Sequence, residues 1–388
     1  MPKLSEDIYL VAALRTPIGK FGGALAKLTA PDLGTESAKA TIARSGIDPA
    51  AIDEVIFGNA RQAGVGPNAA RQIAIRAGLP HETPAYTVNQ ACGSGLRAIM
   101  NAADQIRLGQ ACVVLAGGTE SMSNTPYMLP RARWGMRMGH GEVVDGMYRD
   151  GFLCPLADEM MGATAETLAE RYGISREEQD RFAIESQQKA GRAYDEHRFD
   201  GEIVPLDALA RDEHPRFDTD LGSLAKLPPV FRKNGTVHAG NSSGVTDGAS
   251  SMLVAGAEGV KRHGLEPMAR IVGYAQAGVD PKIMGIGPVP ATRKLLDDTG
   301  IALDQIDLIE LNEAFAAQVL ACERDLRFDR AKLNVHGGAI ALGHPIGCTG
   351  ARITTTLVHA LRTRDKKLGL ATLCISGGMG LAMLVERA

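Results

Sequence analysis

Two thiols and one imidazole stand where their neighbours suit covalent chemistry. Cys92 lies in Asn89-Gln90-Ala91-Cys92-Gly93-Ser94-Gly95, which reads as the junction between a strand and a helix. Free N–H groups at a helix N-terminus carry about half a positive charge, which favours thiolate over thiol. The glycines beside it would let a substrate carbonyl approach the backbone. Taken alone, a cysteine in such a place is more often a small buried residue. Cys374, in Cys374-Ile375-Ser376-Gly377-Gly378-Met379-Gly380, ends a comparable strand near the C-terminus. Two unpaired thiols sharing a crevice can divide their work, one as nucleophile and one as acid or base. His344 sits between Gly343 and Pro345, just before a glycine-rich helix start. Core packing explains it poorly, and its titration range suits thiol activation. Asn312-Glu313 tops the strand Leu308–Leu311, a frequent site position in open α/β sheets, although Asn312 reads equally well as a helix cap. His336, His359 and the other histidines read as surface or satisfied core.

The elements that must position these groups are duplicated. Ser45-Gly46-Ile47 through Ile52-Asp53 reads against Thr299-Gly300-Ile301 through Ile306-Asp307. Each is a Gly-Ile turn, a short polar link and an Ile-Asp that opens a strand. Cys92-Gly93-Ser94-Gly95-Leu96-Arg97 pairs with Gly347-Cys348-Thr349-Gly350-Ala351-Arg352, both entering helices. Strands ending in paired glycines follow, Val113–Gly118 and Leu370–Gly378. If the halves pack about a pseudo-twofold axis, both thiols point into one crevice. Leu96, Ile99, Ala103 and Ile106 repeat at helical spacing, with Gly109 at the expected end. Alternating strand-like runs and amphipathic helices predict α/β layers around a largely parallel sheet. From about 125 to 246 the character changes to Met/Arg-rich turns (Pro130 to His140), an acidic helix (Ser175 to Lys189) and a polar loop (Arg211 to Pro229). That stretch reads as an excursion from the first half, which resumes near Thr246 and carries substrate contacts.

Composition narrows the function classes. A formal charge of −3 gives no global pull toward nucleic acid or an anionic membrane. Aromatics at 4% argue against stacking platforms, and 45 glycines point to close backbone approaches. The polar start, Met1 to Asp7, lacks a secretory h-region, and no apolar run reaches the ~20 residues of a membrane span. No two cysteines form a CxxC pair, so neither a disulfide framework nor a zinc site is expected. Reduced thiols in a cytoplasmic enzyme fit better.

The four sites together make the chain resemble the thiolase family over essentially its whole length. Arg15-Thr16-Pro17, Gly117-Gly118-x-Glu120-Ser121-Met122, Gly240-Asn241-Ser242-Ser243 and Met284-Gly285-x-Gly287-Pro288 add to the likeness. The resemblance implies the thiolase fold, two duplicated βαβαβαββ halves in a five-layered αβαβα core plus an inserted loop domain. The implied division is 1–124 with 247–267, then 125–246, then 268–388. It implies reversible Claisen condensation of two acetyl-CoA to acetoacetyl-CoA, with Cys92 as nucleophile and His344 as its base. Cys374 would be the second acid/base, and Asn312 would hold a water at the enolate oxygen. Backbone N–H groups of Cys92 and Ser376 would form a second oxyanion site. Arg216 and Ser223 would meet the nucleotide end of coenzyme A, while Phe231, Ser243, Met160, Met161 and Phe315 line the pantetheine path. Coenzyme A thioesters would be substrates, with no permanent cofactor and no metal. A dimer, and further a tetramer formed through Pro130–His140, would be the assembled state.

Three departures from the family pattern are visible. Met160 stands where many biosynthetic members have histidine, Ser376 replaces a usual glycine, and the loop before Arg211 is short. The alternatives are a degradative thiolase for longer or functionalised chains such as 3-oxoadipyl-CoA, and a non-catalytic CoA or lipid carrier. Carrier-protein-dependent condensing enzymes share the duplicated fold but are built around one cysteine and two histidines.

Overall fold

The computed structural model describes residues 7–388; the polar N-terminal reading falls almost entirely on residues 1–6, outside them. The first half runs β1 (Ile8–Arg15), β2 (Gly19–Lys20), α1 (Ala30–Ser45), β3 (Glu54–Gly58), α2 (Ala69–Arg76), β4 (Ala85–Val88), α3 (Ser94–Arg107) and β5 (Val113–Ser121). The excursion holds two small hairpins, β6 (Tyr127–Met128) with β7 (Val144–Asp145) and β8 (Leu153–Cys154) with β9 (Glu159–Met160). Helices α4 (Met161–Tyr172), α5 (Arg176–Asp195) and α6 (Leu221–Ala225) follow. The chain returns through β10 (Thr246–Gly256) and α7 (Ala257–His263). The second half comprises β11 (Pro267–Gly278), α8 (Pro288–Thr299), β12 (Leu308–Leu311), α9 (Ala316–Leu326), α10 (Ala339–Leu342), α11 (Ile346–Thr363), β13 (Leu368–Ile375) and β14 (Met379–Arg387).

The longer helices have local reasons to begin and end. At α1 the Thr29 hydroxyl accepts from Asp32 N and the Asp32 carboxylate accepts from Thr29 N, a reciprocal capping box; Gly46 stops the helix at φ 69°. Ser175 and Glu178 repeat the box at α5, which runs past the expected Lys189 to Asp195. Such caps contribute about 1 kcal/mol each.

Ten strands form one sheet in the order β12-β13-β14-β11-β1-β10-β5-β3-β4, with β2 beside β10. The expectation of a largely parallel sheet is corrected. Only β3–β4, β3–β5 and β12–β13 are parallel. Each half closes with an antiparallel pair, β5 against β10 and β13 against β14. The physical reason is the connection: β13 turns into β14 through Ser376–Gly378, too short for a crossover, and two-residue-scale turns join only antiparallel strands. The first strands of the halves also pair, Leu10 opposite Ala269, so the two half-sheets share an edge. Nor do the paired glycines end a strand in the first half: β5 continues through them to Ser121.

Side chains from both sheet faces build three apolar layers. One holds α1 and α2 over the first half through Ile42, Ile73, Val55 and Phe57. A second holds α4, α5, α8 and α9 over the other half through Leu168, Phe182, Leu295 and Val319. Between the half-sheets lie α3 and α11, packed through Leu96, Ile99, Ala351 and Leu357. The result is the five-layered αβαβα arrangement. The duplication is imperfect: the counterpart of β4 shrinks to a single bridge, Ile309 to Leu333. Among the described residues no helix is long and apolar enough to cross a membrane.

Candidate active site

The central helix pair decides where the reactive groups meet. Gly95 and Gly350 lie where α3 and α11 touch: a Cβ at Gly350 would fall 2.2 Å from Leu96 N, and one at Gly95 2.7 Å from Ala351 N. The glycine-rich helix starts therefore serve helix–helix contact, rather than the substrate approach expected from sequence. Gly93 is likewise filled from behind, by Ile375 Cδ1 at 2.5 Å from its would-be Cβ. Ala91 adopts φ 45°, a left-handed conformation costly for a residue with a Cβ. Ser94 holds that turn, its hydroxyl accepting from Gln90 N at 2.9 Å and donating to Ala91 O at 2.6 Å.

Helix α11 has no capping side chain of its own. One of its first N–H groups, that of Gly347, is met from the other half by the buried carboxylate of Glu120, at the end of β5. Glu120 accepts from Gly347 N at 2.9 Å, Ala60 N at 3.1 Å, Arg61 N at 3.1 Å and Asn59 Nδ2 at 2.7 Å. One side chain thus ties the loop after β3 to the helix that follows His344. Burial raises its pKa, against the pull of Arg61 and these N–H donors.

His344 is held on both ring nitrogens. Thr349 Oγ1 donates to Pro345 O at 3.0 Å and lies 2.5 Å from His344 Nδ1. That network assigns the Nδ1–H tautomer, because the hydroxyl's single hydrogen is already used. Nε2 is left with its lone pair, 3.5 Å from Asn312 Nδ2. Asn312 Oδ1 is buried with no partner among the described residues, an acceptor open to a water or ligand.

Cys92, His344, Cys374 and Ser376 all line one cavity of about 290 Å³. Met160, Met161, Phe231, Ser243 and Phe315 line it too. Arg216 and Ser223 do not: both are exposed on the excursion. Arg216 N donates to Gln187 Oε1, and Ser223 closes the capping box of α6. The N–H groups of Ser376 and of Cys92 itself both reach the Cys92 sulfur. All six cysteines are free. Among the described residues no group of three His, Cys, Asp or Glu gathers to hold a metal.

Burial governs the proton states. Desolvation pushes the Cys92 thiol above its ordinary value, outweighing the two N–H groups and nearby Arg61. The expected thiolate preference at the helix start is thus corrected: the resting group is a thiol. Cys374 is driven well above its ordinary value by burial and by Cys92 beside it. His344 falls to about 3 through burial and the charges of Arg352 and Arg61. A neutral imidazole facing two neutral thiols is ready to accept a proton.

Comparison with known proteins agrees with this geometry. The thiolase N-terminal domain model matches residues 8–258 and the thiolase C-terminal domain model matches residues 265–387. The chain belongs to the thiolase family. It is 52% identical to an acetyl-CoA acetyltransferase of Pseudomonas aeruginosa, over 98% of this chain and all of that one. Among solved structures it resembles Bacillus anthracis acetyl-CoA acetyltransferase, with TM-score 0.97, 46% identity and full coverage of both chains. It also resembles human mitochondrial 3-ketoacyl-CoA thiolase in complex with CoA, with TM-score 0.96 and 45% identity, covering 100% of this chain and 99% of that one.

Two departures from the thiolase pattern gain a physical account. Ser376 is absent from the left-handed residues, whereas Gly377 and Gly378 have φ 87° and 86°. The turn therefore spares the serine any strain. Met160 precedes α4 on the cavity wall beside Met161 and makes that wall apolar. The wall residues Arg61, Tyr148, Phe152 and Val230 were not expected from sequence. They lie outside the repeated segments and the thiolase motifs, so no local signal marked them.

Proposed function

We propose that the chain catalyses reversible condensation of two acetyl-CoA into acetoacetyl-CoA and free coenzyme A. The observation that carries this reading is the shared cavity: both thiols, the imidazole and the Ser376 turn open onto one apolar space. In the cleavage direction Cys92 gives its proton to His344 Nε2, and the sulfur adds to the C3 carbonyl. The C2–C3 bond breaks, and the departing enolate carbon takes the Cys374 proton. Cys374 then recovers the proton that His344 holds. A thiol pushed well above its ordinary range suits this step, since it keeps its proton until a strong carbon base forms. Coenzyme A next displaces the acetyl group from Cys92, and its thiol proton returns to Cys92 through His344. Condensation is the reverse.

A water fixed by Asn312, together with His344, holds the enolate oxygen in this reading, and the Cys92 and Ser376 N–H groups hold the oxyanion on the acyl-cysteine. Each such donor typically contributes ~3 kcal/mol to the barrier. Met160, Met161, Phe231, Ser243 and Phe315 take the pantetheine arm, and exposed Arg216 and Ser223 meet the nucleotide. The segments 1–124 with 247–267, 125–246 and 268–388 act as two catalytic halves and a substrate-binding insert. The enzyme works in the cytoplasm, in fatty acid metabolism, as a dimer or tetramer. Trp134 and Met138, 83% and 92% exposed, support an assembly contact at the excursion, which light scattering tests. A monomer at micromolar concentration would refute the assembly.

The reading is tested by cleavage rates on acetoacetyl-, 3-oxohexanoyl- and 3-oxoadipyl-CoA. Acetoacetyl-CoA is expected to give the highest kcat/KM. A clear preference for a longer chain overturns the acetyl assignment. Trapping labelled acetyl on Cys92 separates enzyme from carrier, and absence of label defeats the catalytic reading.

A further inference from the structure

Arg61 is a buried arginine that the reaction above does not use. It is 6% exposed and lines the cavity with Cys92 and His344. No other lysine or arginine among the described residues lines that space. Its backbone N–H is held by Glu120. Its guanidinium makes one hydrogen bond, NH1 to Asp150 O at 2.9 Å. Nε is buried without a partner among the described residues. The turn Tyr148–Phe152 is built around this group: a Cβ on Gly151 would lie 2.1 Å from Arg61 NH2. Gly151 has no left-handed φ to explain its identity, so close approach of the guanidinium is its physical reason. The Glu120 carboxylate already stands near this cation, and the unpartnered Nε leaves a buried donor for a further negative charge.

We propose that Arg61 is a positioning residue whose fixed charge stabilises the Cys92 sulfur when it becomes anionic. This rests on Cys92 being the nucleophile. The groups around that sulfur are Arg61 after β3, Glu120 at the end of β5, its own N–H, the Ser376 N–H after β13 and, in the same cavity, His344 before α11 and Cys374 on β13. Arg61 is the one permanent cation of the set, and it opposes both burial and Glu120, which hold the proton on sulfur. His344 is kept neutral by burial first, then by Arg352 and Arg61, so its lone pair is free in the resting site although the same charges oppose the imidazolium.

The test follows iodoacetamide alkylation of Cys92 against pH in the full-length protein and in Arg61→Leu, Arg61→Lys and Gly151→Ala. Arg61→Leu should move the alkylation midpoint up by about one unit, slowing labelling at neutral pH roughly tenfold. It should lower kcat for acetoacetyl-CoA cleavage with KM little changed. Arg61→Lys should restore most of the midpoint. Gly151→Ala, which displaces the guanidinium without removing it, should shift the midpoint in the same direction as leucine. It also carries the test if the leucine variant does not fold. An unshifted midpoint in folded Arg61→Leu or Gly151→Ala overturns the proposal. So does a leucine effect seen only as altered discrimination between acetoacetyl-CoA and an ω-carboxylated analogue, which would make Arg61 a reader of the acyl tail. Wild-type protein labelled by acetyl-CoA elsewhere than Cys92 would instead sink the nucleophile reading, a separate failure.

Discussion

Gly350→Ala offers a direct measure of how tightly the two catalytic halves must approach. The added Cβ would lie 2.2 Å from Leu96 N and 2.9 Å from Leu96 Cα, both backbone atoms of the facing helix. Ordinary contacts lie near 3.5 Å, so α3 and α11 must separate by roughly 1 Å. No rotamer change relieves this, because the obstacle is main chain. Overpacking of this kind costs about 1–3 kcal/mol. The functional loss is larger, because Cys92 precedes α3 and His344 precedes α11. Separating them by about 1 Å should lower kcat on the order of 100-fold. The assay pairs thermal melting with acetoacetyl-CoA cleavage, using Gly191→Ala in α5 as control. There the nearest atom to the new Cβ is Phe217 Cδ1 at 3.4 Å, and an alanine in a helix interior should be neutral or stabilising by about 0.5–1 kcal/mol. Wild-type kcat and Tm in Gly350→Ala would refute the claim that this crossing sets the site.

Thr349→Val removes the hydroxyl that fixes the His344 tautomer and should cut kcat roughly 10- to 100-fold with little change in KM, read by steady-state kinetics. Glu120→Gln replaces one carboxylate oxygen by an NH2 that faces N–H donors it cannot pair with. It should cost roughly 2–4 kcal/mol by urea unfolding and weaken catalysis through Gly347 and Arg61. Cys374→Ser should still form acetyl-Cys92 by mass spectrometry while losing condensation by on the order of 1,000-fold. His336 is pushed down to about 3 by burial and by Arg364 and Arg198. Its unfolded form protonates near pH 6.5, so the unfolded state binds the extra proton and stability falls as pH drops below that value toward 3. His336→Asn should flatten that fall by about 1.4 kcal/mol per pH unit, measured by urea unfolding between pH 6 and 4.

Much of this site was legible in one dimension. Cys92, His344 and Cys374 sit at junctions whose glycines and prolines announce turns, Asn312 tops an apolar strand, and repetition between the two ends of the chain announced two halves. Gly109 announced the end of α3, which stops at Arg107 with Gly109 left-handed at φ 69°. Sheet direction was misread because an apolar strand buried on both faces looks the same whether its neighbour runs parallel or antiparallel. Arg61 and Tyr148 escaped because a cavity wall is assembled from loops with no periodicity. Glu120 appeared only as part of a motif; its partners Ala60 and Gly347 lie 60 and 227 residues away.

Residue order alone determined which groups could react and which elements would carry them. That follows from local physics: turn residues, caps and apolar periodicity act over a few positions. The tertiary structure alone decided that both sulfurs and the imidazole face one space, and which protons they keep. Those outcomes depend on burial and on charges brought together from both halves, quantities that exist only once the helices cross.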